Sequence, residues 1–86
     1  MTDYKQYYKT CDDGIVMYLN HDIVISFRVS AALREVMDFA DECFEKVDWS
    51  MYDIYRSGIE AASKQEELDG IITADQRLQI WDRYGL

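Results

Sequence analysis

Residues 30–47, SAALREVMDFADECFEKV, constrain the fold more than any other stretch. Ala32, Leu33, Val36, Met37, Phe39, Ala40, Cys43, Phe44 and Val47 recur at spacings of three and four. At about 100° per residue they fill one broad side of a helix. Glu35, Asp38, Asp41, Glu42 and Glu45 fall on the opposite side. A helix with one apolar and one acidic face must find a partner layer for the first. Ser30 is a natural N-cap, because its hydroxyl can accept from a free backbone N–H in the first turn.

The partner layer is sought on either side of that helix. From Gly14 to Arg28, Val, Ile, Tyr and Phe dominate, which predicts a β-hairpin. A three-residue loop at Asn20, His21 and Asp22 places Ile15, Met17, Leu19, Ile23, Ile25 and Phe27 on one face. Val16, Tyr18, Val24, Ser26 and Arg28 take the other. A two-residue loop would mix Ser26 and Arg28 with Ile15 and Met17, so the longer loop is favoured. Cys11–Gly14 forms a turn before it. Residues 3–10 suit either an edge strand, the third of the sheet, or a short helical turn.

Beyond Val47, Ser50 and Asp53 match capping-box spacing and predict a second helix over residues 51–68. Its apolar stripe is Met51, Ile54, Tyr55, Ala61 and Ala62, with Ile59 at the edge. Gly58, in mid-stripe, costs a helix about 1 kcal/mol against Ala and suggests close approach of a neighbour. Asp53–Arg56, Arg56–Glu60 and Glu60–Lys64 are neighbours on the far side, a mixed-sign solvated surface. Asp69-Gly70 stops the helix. Thr73 with Gln76 forms a second capping box, predicting a short helix over 74–84 docked by Leu78, Trp81 and Tyr84, with Ile80 as a further candidate. The expected architecture is α+β: an antiparallel β-hairpin, with a candidate third strand, packed on two main helices and a short C-terminal one. The 86 residues make one small acidic domain.

Charge narrows the function. Formal net charge is −8. Residues 1–34 balance, residues 54–86 carry −2, and residues 35–53 carry −6, seven acids against Lys46 alone. Such a chain is not expected to bind nucleic acid or anionic membrane directly, since phosphates demand Lys and Arg. No apolar run reaches the roughly 18 residues that span a bilayer. The first residues, MTDYKQYYKT, lack the apolar core of a signal peptide, so a cytoplasmic location is expected. Cys11 and Cys43 are then expected as free thiols, with Cys43 buried.

Chemical motifs are sparse. Residues 65–76 place Gln65, Glu67, Asp69, Gly70 and Ile72 at calcium-loop positions. The bidentate Glu, however, is replaced by Gln76, and the first Asp by Gln65. His21, beside Asp22 in a turn, has no marked nucleophile or metal to work with. One His and two distant Cys do not make a zinc site. There is no Gly-rich phosphate loop, G-x-S-x-G or H-E-x-x-H. Neither catalysis nor a cofactor is expected.

The acidic face is the remaining feature. Glu35–Asp38, Asp38–Asp41, Asp38–Glu42, Asp41–Glu45 and Glu42–Glu45 are like-charge neighbours that cost the helix stability. Carboxylates about 5–6 Å apart are spaced roughly like backbone phosphates and suit an Arg/Lys-lined groove. Aromatics near the acidic stretch extend the candidate partner-binding set: Glu35, Asp38, Asp41, Glu42, Glu45, Asp48, Trp49, Tyr52 and Asp53. In size, charge and lack of chemical motif the chain resembles the small acidic inhibitors of phages and mobile elements, among them anti-CRISPR proteins and DNA mimics. That likeness implies a non-enzymatic inhibitor of a basic, nucleic-acid-binding host defence protein, acting in the bacterial cytoplasm. The alternatives are a small structural or adaptor domain that pairs with itself, as a homodimer, or with a partner, through the apolar and aromatic hairpin face of Val16, Tyr18 and Val24 and an exposed strand edge, and an immunity protein or antitoxin against a basic nuclease.

Overall fold

The structure is a computed structural model and describes residues 7–86. The fold is α+β: a two-stranded antiparallel hairpin packed against two longer helices and a short C-terminal one. The strands are β1 (Tyr8–Thr10) and β2 (Val16–Tyr18). The helices are α1 (Ala31–Glu45), α2 (Trp49–Leu68) and α3 (Ala74–Tyr84).

The hairpin lies one segment earlier than the expected one. Its register pairs Tyr8 with Tyr18, Lys9 with Met17 and Thr10 with Val16. Cys11 to Ile15 forms the connection, closed by the Gly14 amide donating to the Cys11 carbonyl at 2.9 Å. Tyr8 and neighbouring residues, one of the two conformations open for this segment, supply the strand; the rest of residues 3–10 lies outside the described residues up to Gln6. Residues 19–30 form no strand. A turn stands at the expected Asn20–Asp22 loop, closed by Ile23 N donating to Asn20 O at 3.2 Å, and the residues after it run as an irregular strap in which the expected alternation survives without a ladder. Met17, Leu19 and Ile25 are buried, Ile23 and Phe27 pack against the core, and Val24 is 71% exposed.

Arginines replace the ladder. Arg34 Nη2 donates to the Ile25 carbonyl at 3.0 Å, and Arg83 Nη1 donates to the Ile23 carbonyl at 2.6 Å. The far end is tied by Glu66 of α2, whose carboxylate accepts from Ser30 N (3.0 Å) and Ser30 Oγ (2.8 Å). Tyr7 donates its hydroxyl to Asp22 at the near end. Backbone acceptors that a neighbouring strand would have satisfied are thus met by side chains.

Ser30 caps α1 as expected, its Oγ accepting from Leu33 N at 3.1 Å. Leu33, Met37, Ala40 and Phe44 form the fully buried line of α1. Cys43 and Val36 are half-buried. The helix ends in a paired 6→1 and 5→2 arrangement: Asp48 N donates to Cys43 O at 2.9 Å and Val47 N to Phe44 O at 3.2 Å. Val47 occupies the left-handed position at φ 55°, where Gly is usual. Asp48, not Ser50, is the N-cap of α2 and accepts from Met51 N at 3.3 Å. The corner turns so tightly that the residue leaving α1 already caps α2.

The buried stripe of α2 is Tyr52, Ile59, Ser63 and Glu66, one position round from the expected one. Met51 is exposed and Ile54 is 59% exposed. Polar residues hold buried positions because partners meet them there. Ser63 Oγ donates to Ile59 O at 2.6 Å and accepts from Trp81 Nε1 at 2.8 Å. Helix α3 has the expected bounds and a complete Thr73/Gln76 capping box. Ile80 and Tyr84 dock it, with Trp81 at the margin; Leu78 is 47% exposed and faces outward.

Helices α1 and α2 run antiparallel side by side: Ser30 meets Glu66, Val36 meets Gly58 and Phe39 meets Tyr55. Hairpin, strap and α3 cover the inner face of that pair. Lys9 Nζ donates to Phe44 O at 3.1 Å, Tyr52 OH to Tyr18 O, and Arg56 Nε to Tyr84 O at 2.9 Å. The Cα atoms span 40 × 31 × 16 Å, the thickness of two layers. One core fills the space between them. Among the described residues no helix is long and apolar enough to cross a membrane.

Candidate functional site

Helix α1 carries the expected acidic row on its outer side, opposite the line of Leu33, Met37, Ala40 and Phe44. Glu35, Asp38, Glu42 and Glu45 are all exposed. Glu42 pairs with Lys46 one turn on at 2.7 Å, and Glu45 with Lys9 of β1 at 3.6 Å. The bond from Glu42, and then its charge, raise the Lys46 pKa above its ordinary value. Among the described residues no cation pairs with Glu35 or Asp38. The row lies partly in the C-terminal half of α1, where the helix dipole disfavours negative charge.

The nine candidate residues do not form one surface. Asp41 leaves the row. Its carboxylate accepts from Tyr84 OH at 2.7 Å and from Arg83 Nη2 at 3.1 Å, so it ties α1 to α3. The reason is angular: Asp41 sits on the flank of α1 that faces the strap, not on the outer side. Burial, and then the Asp41 charge, push the Tyr84 hydroxyl well above the usual tyrosine range. Asp48 is consumed as a cap, although it remains exposed. Trp49, Tyr52 and Asp53 belong to another place. With Ile15, Val16, Met17, Tyr18 and Arg56 they line a cavity of about 170 Å³ between α2 and the hairpin. Tyr52 is buried there, which raises its pKa, and is no exposed anchor. Asp53 pairs with Arg56 at 3.6 Å.

A second cavity, about 230 Å³, lies between the strap, α1 and α3 and is lined by His21, Val24, Ile25, Arg34, Met37, Asp41, Arg83 and Tyr84. Its arginines are the strap clamps. His21 is exposed at the turn, its ring edge-on to Tyr7 at 5.5 Å.

Cys11 and Cys43 are free thiols. Burial first, and nearby carboxylates second, raise both pKa values, so both stay protonated near neutrality and are poor nucleophiles. In the calcium-like stretch the oxygens are already engaged: Glu67 accepts from Arg77 and Asp69 from Gln65. Among the described residues no group of three or more His, Cys, Asp or Glu side chains is placed to hold a metal ion.

The sequence reading missed a different feature. Phe39, Met51 and Ile54 were expected in the core and are exposed instead. Phe39 stacks on half-buried Tyr55 with centroids 5.5 Å apart and planes at 29°. These residues share the open side of the α1–α2 pair, next to the acidic row. The available signal was length: two helices this long offer more apolar stripe than a hairpin and one short helix cover.

Comparison with protein-family models, curated proteins and solved structures finds no match to this chain.

Proposed function

We propose that this protein is a small non-enzymatic inhibitor that presents the outer face of α1 to a basic, nucleic-acid-handling protein. Its class would be that of the anti-CRISPR proteins and DNA mimics, and its place of action the bacterial cytoplasm. One observation carries the reading. Glu35, Asp38, Glu42 and Glu45 stand exposed in one row, with two of them unpaired among the described residues. Like-charge neighbours three and four apart destabilise a helix by about 0.2–0.5 kcal/mol each. A retained cost of that kind favours a use for the field, and a partner rich in Lys and Arg would be steered to it. Asp48 stands at the end of the same helix and extends the charge toward α2. Asp41 is left out, because it serves the fold.

The test is capture from nuclease-treated bacterial lysate at low and high salt, with the wild type and the Asp38→Lys/Glu42→Lys double variant. Both positions are exposed, so the variant keeps the fold. The reading expects a nucleic-acid-binding protein held at low salt, lost at high salt and lost from the variant, and inhibition of that protein's activity by the wild type alone. Full inhibition by the double variant would end it. An immunity protein or antitoxin against a basic nuclease shares the mechanism, and the captured target separates the two.

A second reading rests on the far side of the molecule. Among the described residues Tyr8 and Val16 of the hairpin and Val24 of the strap are exposed apolar side chains. They favour an adaptor domain that pairs with itself. Sedimentation showing a salt-insensitive dimer would support it, and a monomer at high concentration would count against it.

A further inference from the structure

We infer that the open side of the α1–α2 pair docks an amphipathic helix bearing Lys or Arg along one border. The inference rests on the inhibitor reading and names the surface its basic partner would present. Three observations lead to it.

The first is that, among the described residues, this side is bare. The molecule is two layers thick, and the hairpin, the strap and α3 lie on the inner side of the helix pair. Phe39 is 41% exposed, and Ile54 more so. Apolar groups shown together to water mark interaction surfaces.

The second is shape. Met51, Ile54 and Tyr55 stand one turn apart on α2, and Phe39 stacks on Tyr55 from α1. Between the helices the floor is Val36 against Gly58, where a Cβ on the glycine would lie 3.5 Å from Val36 Cγ1. The glycine keeps the floor low between raised aromatic and aliphatic walls. The stacked pair is already fixed, so little side-chain freedom is lost when a partner seats. A shallow apolar groove between antiparallel helices accepts a third helix through anchors spaced i, i+3, i+4 and i+7.

The third is charge, and it selects the occupant. Glu35 and Glu42 lie four residues before and three after Phe39, with Asp38 behind them, all exposed. The opposite border is Ser50, Ser57 and Ala61, which is neutral. A helix lying in the groove therefore meets carboxylates on one side only. A partner with Lys or Arg along one border of its apolar stripe complements that arrangement, and an acidic helix is repelled.

The experiment titrates the 15N-labelled full chain with a synthetic 18-residue peptide of Leu and Lys. Leu occupies positions i, i+3, i+4 and i+7, and Lys one flank. A scrambled peptide of identical composition is the control. The ordered peptide should bind saturably, moving the amide signals of Phe39, Ile54, Tyr55 and Gly58, and at least tenfold more tightly than the scrambled one. Ile54→Asp, at an exposed position, should weaken the ordered peptide at least tenfold while leaving the far-ultraviolet circular dichroism unchanged. Equal binding of both peptides, with shifts confined to Glu35, Asp38, Glu42 and Glu45, would overturn the docking site and leave the electrostatic reading standing. Binding by neither peptide would overturn it too, as would a dimer of the chain that Ile54→Asp dissolves. The converse pattern, the ordered peptide docking on the wild type while no nucleic-acid-binding protein is captured from lysate or inhibited, would remove the inhibitor reading alone.

Discussion

Replacing Glu66 by Ala should be among the most damaging single changes in this protein, although nothing in the local sequence marks that residue. Glu66 is only 6% exposed and accepts two hydrogen bonds from Ser30, one from the backbone and one from the hydroxyl. Hydrogen bonds to a charged group contribute roughly 1.5–3 kcal/mol each. Against them stands the cost of burying the carboxylate, which the variant no longer bears. Truncation also strands the Ser30 N–H, at about 1–3 kcal/mol. The expected net loss is about 2–4 kcal/mol, out of roughly 4–13 kcal/mol for a chain of this length. Urea unfolding followed by Trp49 and Trp81 fluorescence measures it; with a slope near 1 kcal/mol per molar, the midpoint should fall by about 2 M or more. Glu66→Gln keeps one acceptor and should cost about half as much. Combining Glu66→Ala with Ser30→Ala should show a coupling of about 1 kcal/mol or more, because the two share their bonds. A Glu66→Ala loss under about 0.5 kcal/mol, or strict additivity with Ser30→Ala, would refute the view that this contact anchors the strap to α2.

Three further outcomes follow from the geometry. Val47→Gly should stabilise the protein by about 0.5–1 kcal/mol in the same assay, since a β-branched residue at φ 55° is strained by about 1–2 kcal/mol and glycine returns part of that as chain entropy. Gly58→Ala should add up to about 1 kcal/mol of helix propensity, because the new Cβ makes ordinary contact with Val36 at 3.5 Å; a loss would show that the helices cannot give way there. Burial raises the pKa of both Tyr52 and Tyr84 above 10.0, so each proton is held more firmly in the folded state. Their contribution is complete below about pH 10, the unfolded value, and is lost above it, at about 1.4 kcal/mol per pH unit per tyrosine. Tyr84→Phe and Tyr52→Phe should each flatten that alkaline fall, and an unchanged slope in the double variant would contradict the assignment.

Legibility in the sequence followed the range of the interaction. Helix α3 has its expected bounds because Thr73 and Gln76 cap it from three residues apart. Ser30 and the period of residues 31–45 defined α1 in the same local way. In residues 14–28 the period of two correctly separated Met17, Leu19 and Ile25 from Val16 and Val24, yet said nothing of which chain lies alongside. That was decided by Arg83, 60 residues from Ile23, and by Arg34. The stripe of α2 was misplaced because Ser63 and Glu66 read as surface residues until Trp81 and Ser30 are brought to them. Asp41 looked like its neighbours on α1 for the same reason, since its partners Arg83 and Tyr84 lie more than 40 residues away. The row of Glu35, Asp38, Glu42 and Glu45 needed only the helix period, and it was legible.

The arginine clamps hold the strap by its carbonyl oxygens alone. Among the described residues the amides of residues 24–29 have no hydrogen-bond acceptor in the protein. In a β-ladder the same contact that fixes a strand also shields its amide protons, so order and slow hydrogen exchange arrive together. Here the two are separated. The strap is held in place by Ile25 in the core and two guanidinium groups, while its amide protons have no partner among the described residues to hold them. Exchange with deuterium would mark residues 24–29 as loose even while their side chains keep fixed positions, and a map of this domain drawn from exchange alone would leave out one wall of its core.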